Sequence, residues 1–177
     1  MLVQQRKGID TMFRAAFCRP IPTDPFNFLR NRNVRNTEKR TYNCGGYALG
    51  TFSWYCPHRK EDDSTPFGAY YAETPEEADL ITQHSVQVML EDFGGKLRVI
   101  SEVAEANLKT EIVIAFRIST ETGDFHYARR GCNGGWYHKM GACPYIDRMD
   151  AVEVFSDYWL CGPVRYDGPL VLFAMTK

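Results

Sequence analysis

No apolar run in this sequence exceeds six residues; the longest is Leu170 to Met175. A membrane-spanning helix needs about 20, so no membrane contact is expected. None of the six cysteines (Cys18, Cys44, Cys56, Cys132, Cys143 and Cys161) forms a C-x-x-C pair. That argues against a zinc ribbon or a thioredoxin-type site. The first residues, Met1 to Arg6, lack an apolar stretch behind a basic start, so no secretory leader is expected. Synthesis in the cytoplasm with reduced thiols is then the default. Internal repeats and low-complexity tracts are also lacking. Net charge is nearly absent, with 21 Lys and Arg against 22 Asp and Glu.

The near-neutral total conceals a division. Residues 1–40 hold nine basic and three acidic side chains, a charge of +6, which leaves −7 for residues 41–177. The first segment therefore reads as a basic extension, broken by Pro20, Pro22 and Pro25. It has no aromatic-interleaved stacking platform and no recognisable nucleic-acid module, so nucleic acid is not favoured as a partner. The rest reads as one domain, since 177 residues suit a single core that needs no metal or disulfide to fold.

Periodicity and caps give an order of elements. Asn43 is placed to cap a short buried helix that begins at Cys44 and stops before Pro57. Gly45 and Gly46 lie in its first turn, where glycine costs about 1 kcal/mol against alanine. Such a cost is tolerated where something approaches the backbone closely. Thr74-Pro75-Glu76-Glu77 starts a second helix with a capping box, and Gly94-Gly95 ends it. Its buried face is Ala78, Ile81, Ser85, Val88 and Met89. Strands are expected over Leu97–Ile100, Glu111–Ile118, Phe125–Arg129, Trp136–Lys139 and Leu170–Met175. Val152–Phe155 is ambiguous. Helices followed by strands indicate an α+β fold.

A nucleophilic cysteine needs its thiolate, which a helix N-terminus and an imidazolium both favour. Cys44 has the first. His126 and His138 lie on two strands joined by the turn-rich Gly131-Cys132-Asn133-Gly134-Gly135. With the turn centred on Cys132, paired residue numbers sum to 264, and His126 faces His138. Opposed side chains have Cβ atoms about 4.5–5.5 Å apart, so one imidazole can orient the other. The result is a nucleophile, a base and an orienting group.

The stretch Tyr42-Asn43-Cys44-Gly45-Gly46-Tyr47 resembles the nucleophile helix of the NlpC/P60 group of papain-like cysteine peptidases. The pattern F-H-Y-x-R…G-x-W-x-H-K-x-G resembles poorly characterised bacterial and phage proteins with that fold. The resemblance covers Tyr42–Gly50 and Asp124–Gly141, and it leaves residues 1–40 outside. It implies a nucleophile helix packed on a five- to six-stranded antiparallel sheet, with residues 57–95 inserted. It implies Cys44 as nucleophile, His126 as base and His138 as orienter. Tyr42, Gly45 and Trp136 would stand on the substrate and oxyanion side, together with the Cys44 N–H. Asn43 departs from the Asp usual before the nucleophile. No cofactor is implied. The expected substrate is an amide or isopeptide bond in a peptide, in peptidoglycan stem peptides or in a protein. Phage or secretion-system delivery would bring the chain to a cell wall.

Three competing readings accompany this one. The same triad can run acyl transfer or act on a cytosolic protein. A papain-like scaffold of phage or toxin origin can serve as an inactive binding module. Cys44, His126 and His138 with Cys132 or Cys56 can hold zinc.

Overall fold

A computed structural model of the chain describes residues 42–51, 53–57, 72–141, 143 and 146–177. The basic extension and residues 58–71 of the expected 57–95 insertion lie outside the described residues. The elements are α1 (Cys44–Ala48), α2 (Pro75–Phe93), β1 (Leu97–Ile100), β2 (Glu111–Ile118), β3 (Phe125–Arg130), β4 (Trp136–Lys139), β5 (Ile146–Met149), α3 (Ala151–Val154), β6 (Trp159–Cys161), β7 (Val164–Tyr166) and β8 (Val171–Thr176). The chain is α+β. Six strands form an antiparallel sheet in the order β1-β8-β2-β3-β4-β5, and β6 and β7 form a separate hairpin.

The second helix forms as its ends dictate. Thr74 Oγ1 accepts from the Glu77 N–H at 3.2 Å, and Gly94 closes the helix with φ 54°. The Glu77 carboxylate takes the N–H of Glu73, at 2.6 Å, in place of the capping-box N–H of Thr74. The expected face of Ala78, Ile81, Ser85, Val88 and Met89 is buried, joined by Thr82. None of the described helices is long and apolar enough to cross a membrane.

The sheet is the middle of three layers. On one face, α1 and α2 contribute Cys44, Ala48, Leu49, Ala78, Ile81 and Met89, packed on Ile112, Ile114, Phe116, Ile118, Tyr127 and Phe173. On the other, Val154, Trp159, Cys161 and Tyr166 pack on Val113, Ala115, Ala128, Trp136, Leu172 and Ala174. Covering both faces explains why seven of the eight residues of β2 are buried. A strand so placed shows a continuous apolar run instead of alternation. Burying Phe116 or Phe173 removes enough apolar surface from water to stabilise by about 2–3 kcal/mol each.

The second layer is held by an unexpected group. Arg117 is 5% exposed. Its guanidinium donates to the carbonyls of Asp157 at 2.7 Å, Gly168 at 2.9 Å and Ser156, and it lies 5.5 Å over the Trp159 ring. A buried charge is tolerated where such acceptors surround it. Arg117 thereby ties the segments on either side of the β6–β7 hairpin to the sheet.

Candidate active site

Helix α1 is wholly buried, and Asn43 fixes it in two ways. Its Oδ1 accepts from the N–H groups of Gly46 at 3.0 Å and Tyr55 at 3.1 Å. Its Nδ2 donates to Tyr55 O at 2.6 Å. An aspartate could accept both N–H groups but could not donate to that carbonyl, which explains the asparagine. The returning segment passes directly over the glycines. A Cβ on Gly46 would lie 1.9 Å from Ser53 O, and one on Gly45 would lie 3.1 Å from Tyr55 O. The close approach expected from Gly45-Gly46 is therefore made by the chain itself.

Cys44 is the first residue of α1 and is 4% exposed. Its Sγ donates to Phe125 O at 3.7 Å. Burial, followed by the charge of Asp124, pushes its thiol up to about 12; Lys139 and the N–H groups of Gly45 and Tyr127 act the other way. At rest Cys44 is a thiol. The helix N-terminus favours the anion, as expected, but in a five-residue helix desolvation outweighs it.

The strands pair as Ala128↔His138, Arg129↔Tyr137 and Arg130↔Trp136, so paired numbers sum to 266. The turn is centred on Asn133, with Gly131 N–H bonded to Gly135 O. The expected direct opposition of His126 and His138 is thus displaced by two residues. A two-residue shift keeps every side chain on its face, and the histidines meet diagonally. His126 Nε2 and His138 Nδ1 are 2.8 Å apart. The Tyr166 ring lies 5.1 Å from that of His126, and Tyr166 donates to Asp124 Oδ2 at 2.9 Å. Asp124, two residues before His126 and so on the same side of the chain, reaches this neighbourhood through Tyr166. Burial lowers His138 to about 4; burial and then the His138 charge hold His126 well below its ordinary value. Both imidazoles are neutral near pH 7.

No family model, curated protein or solved structure matches this chain.

Cys44 and the histidines approach β3 differently. The histidine side chains leave the sheet on the face that carries the β6–β7 hairpin, whereas Cys44 belongs to the cluster under the helices. No hydrogen bond joins Cys44 to either histidine among the described residues. However, β4 pairs with β3 only over residues 128–130. Phe125 O and Tyr127 N–H, which point the same way along a strand, are left to Cys44. The sulfur sits at the open end of the β3–β4 seam, beside the main chain that flanks His126.

Tyr42 is 1% and Trp136 2% exposed. Trp136 packs against Ala128 and Met149 in the core, and the Tyr42 carbonyl accepts from Lys139 Nζ. Both side chains are buried in the resting site, and Gly45 lies under Tyr55. The four-ligand zinc set also fails to assemble. Cys56 and Cys132 are exposed, and the thiol gathered with the histidines is Cys161. Cys143 is disulfide-bonded, a departure from the six reduced thiols expected.

Two residues escaped the sequence reading. Lys139 is fully buried, bonds Tyr42 O and Gly141 O, and lies 4.9 Å over the Tyr42 ring. It ties the start of α1 to the end of β4, and alternation after His138 places it on the cysteine side. Cys161 was legible in Trp159-Leu160-Cys161 before Gly162-Pro163, where two inward residues precede a turn dipeptide.

Proposed function

We propose that the chain is a papain-like thiol hydrolase of NlpC/P60 type, acting on an amide or isopeptide bond in a peptide, a peptidoglycan stem peptide or a protein. Cys44 is the nucleophile, His126 the base and His138 the orienting group. One observation carries this reading: the 2.8 Å bond between His126 Nε2 and His138 Nδ1. It commits Nε2 of His126 and leaves Nδ1, the ring nitrogen nearer the main chain, to serve the thiol. Cys44 Sγ lies against the carbonyl of the preceding residue.

The chemistry follows from the resting protonation states. The proton is on sulfur and His126 is neutral, so proton transfer accompanies attack instead of preceding it. As sulfur bonds the carbonyl carbon, Nδ1 of His126 takes the thiol proton. The imidazolium keeps its contact with His138, which fixes the ring. The same proton passes to the leaving amine, and a thioester forms. Water then releases the acid; a second amine in its place gives acyl transfer. Lys139 contributes a positive charge that favours the sulfur anion. With Cys44 4% and His126 2% exposed, the resting site is closed, and substrate must displace part of its cover.

Mass spectrometry of muropeptide and cell-lysate digests tests this, comparing wild type with Cys44→Ala and His126→Ala. New amine termini produced by wild type alone support it. Equal cleavage by Cys44→Ala, or a fully active His126→Ala, contradicts it.

A further inference from the structure

His126 on β3, His138 on β4 and Cys161 on β6 bring two ring nitrogens and a sulfur within 4.8 Å of one another. We infer that these three side chains form a binding site for a soft divalent metal ion of the zinc type.

Three features converge on this assignment. Two imidazoles and one thiolate suit zinc and cobalt, with bond lengths of about 2.0–2.1 Å to nitrogen and 2.3 Å to sulfur. The ligands come from two packed layers, so their positions are set by the core. His126 is held by the rings of Tyr166 at 5.1 Å and Trp159 at 6.3 Å, and the hairpin carrying Cys161 is bounded by the segments that Arg117 grips. The surroundings also carry acidic groups, since the charges of Glu153, Asp124 and Asp147 act on Cys161. Asp147 stands directly across from His138 in the β4–β5 ladder. A cation placed there meets opposite charge from several directions.

The proton balance is definite. Binding through Cys161 releases its thiol proton to solvent. His126 binds through Nε2 and His138 through Nδ1, the two atoms that now share a hydrogen bond. Whichever ring donates that bond must move its proton to its other nitrogen. In the loaded form both rings are neutral, and His126 carries its proton on Nδ1. That nitrogen can then no longer accept the proton of Cys44. A bound metal therefore silences the base, a consequence that rests on the thiol hydrolase reading; the metal site itself does not.

Cobalt(II) and zinc(II), added to the full chain, test the site. The expected result is one equivalent of tetrahedral cobalt with a sulfur-to-cobalt charge-transfer band. Cys161→Ser abolishes the band, and His126→Gln or His138→Gln weakens binding at least about tenfold. Cys44→Ala, Cys56→Ala and Cys132→Ala keep the band. X-ray absorption of the zinc form of wild type gives a readout that needs no variant, with one sulfur at about 2.3 Å and nitrogens at about 2.0–2.1 Å. Absence of a charge-transfer band at stoichiometric cobalt, its loss in Cys44→Ala or Cys132→Ala, or a zinc shell without sulfur overturns the proposal. Zinc inhibition of peptide cleavage is the separate arm. Metal bound as described with cleavage unaffected refutes His126 as base and leaves the site standing. Cleavage without metal binding refutes the site alone.

Discussion

Lowering the pH from 7.5 to 4.5 should unfold this protein through its histidine pair. Burial lowers His138 to about 4 and holds His126 well below its ordinary value. Unfolded histidine titrates near 6.5. Between those values the unfolded chain binds protons that the folded chain refuses. The stabilising effect is complete above about pH 6.5 and is lost as pH falls toward the folded values. Each such histidine contributes a slope of about 1.4 kcal/mol per pH unit, so the pair approaches about 2.7. His138 alone amounts to roughly 3 kcal/mol over its window, a large share of the 5–15 kcal/mol typical of a domain. Urea midpoints at half-unit pH steps, with the m-value checked for constancy, measure the slope. His138→Gln should remove about half of it between pH 6.5 and 5. A flat profile there, or an unchanged slope in the His126→Gln, His138→Gln double variant, would refute the reasoning.

Other expectations follow from single contacts. Gly46→Ala puts a methyl 1.9 Å from Ser53 O; a loss of about 2–3 kcal/mol in thermal unfolding is expected, and an unchanged midpoint would contradict the described path of residues 53–55. Asn43→Asp keeps the cap but loses the donor to Tyr55 O at 2.6 Å, a cost of about 1–2 kcal/mol; equal or higher stability would show that the amide donor is unimportant. Iodoacetamide at pH 7.5 should label exposed Cys56 and Cys132 before Cys44, whose thiol is pushed up to about 12. Peptide mapping in which Cys44 reacts first would mean that the resting site is open and its sulfur ionised.

The parts of the fold that were legible carry strong local signals. Asn43 before Cys-Gly-Gly marks α1, Thr74-Pro75 and Gly94 bound α2, and the apolar run of 112–116 marks β2. The second layer carries weak ones. Elements β5, α3, β6 and β7 are three or four residues long, too short for periodicity to separate strand from helix, and Ala151–Val154 is helical where a strand was equally plausible. Nothing in the sequence distinguishes Arg117 from a surface arginine until three carbonyls surround it. The histidine pairing survived a misplaced turn because a two-residue shift preserves the face. Cys161 was missed with its strand. The ionisation of Cys44 was misjudged for another reason: the sequence displays the helix start, but burial depends on residues 53–55 folding over it.

The central claim is that Cys44 attacks with His126 as its base. Trapping the thioester tests it most directly. Wild type and His126→Gln are incubated with a peptide thioester, quenched in acid and mapped by mass spectrometry. The acyl group should appear on Cys44 of wild type and be at least about 100-fold less abundant there in His126→Gln. Acylation confined to exposed Cys56 and Cys132, or equal acylation of Cys44 in both proteins, would contradict the account.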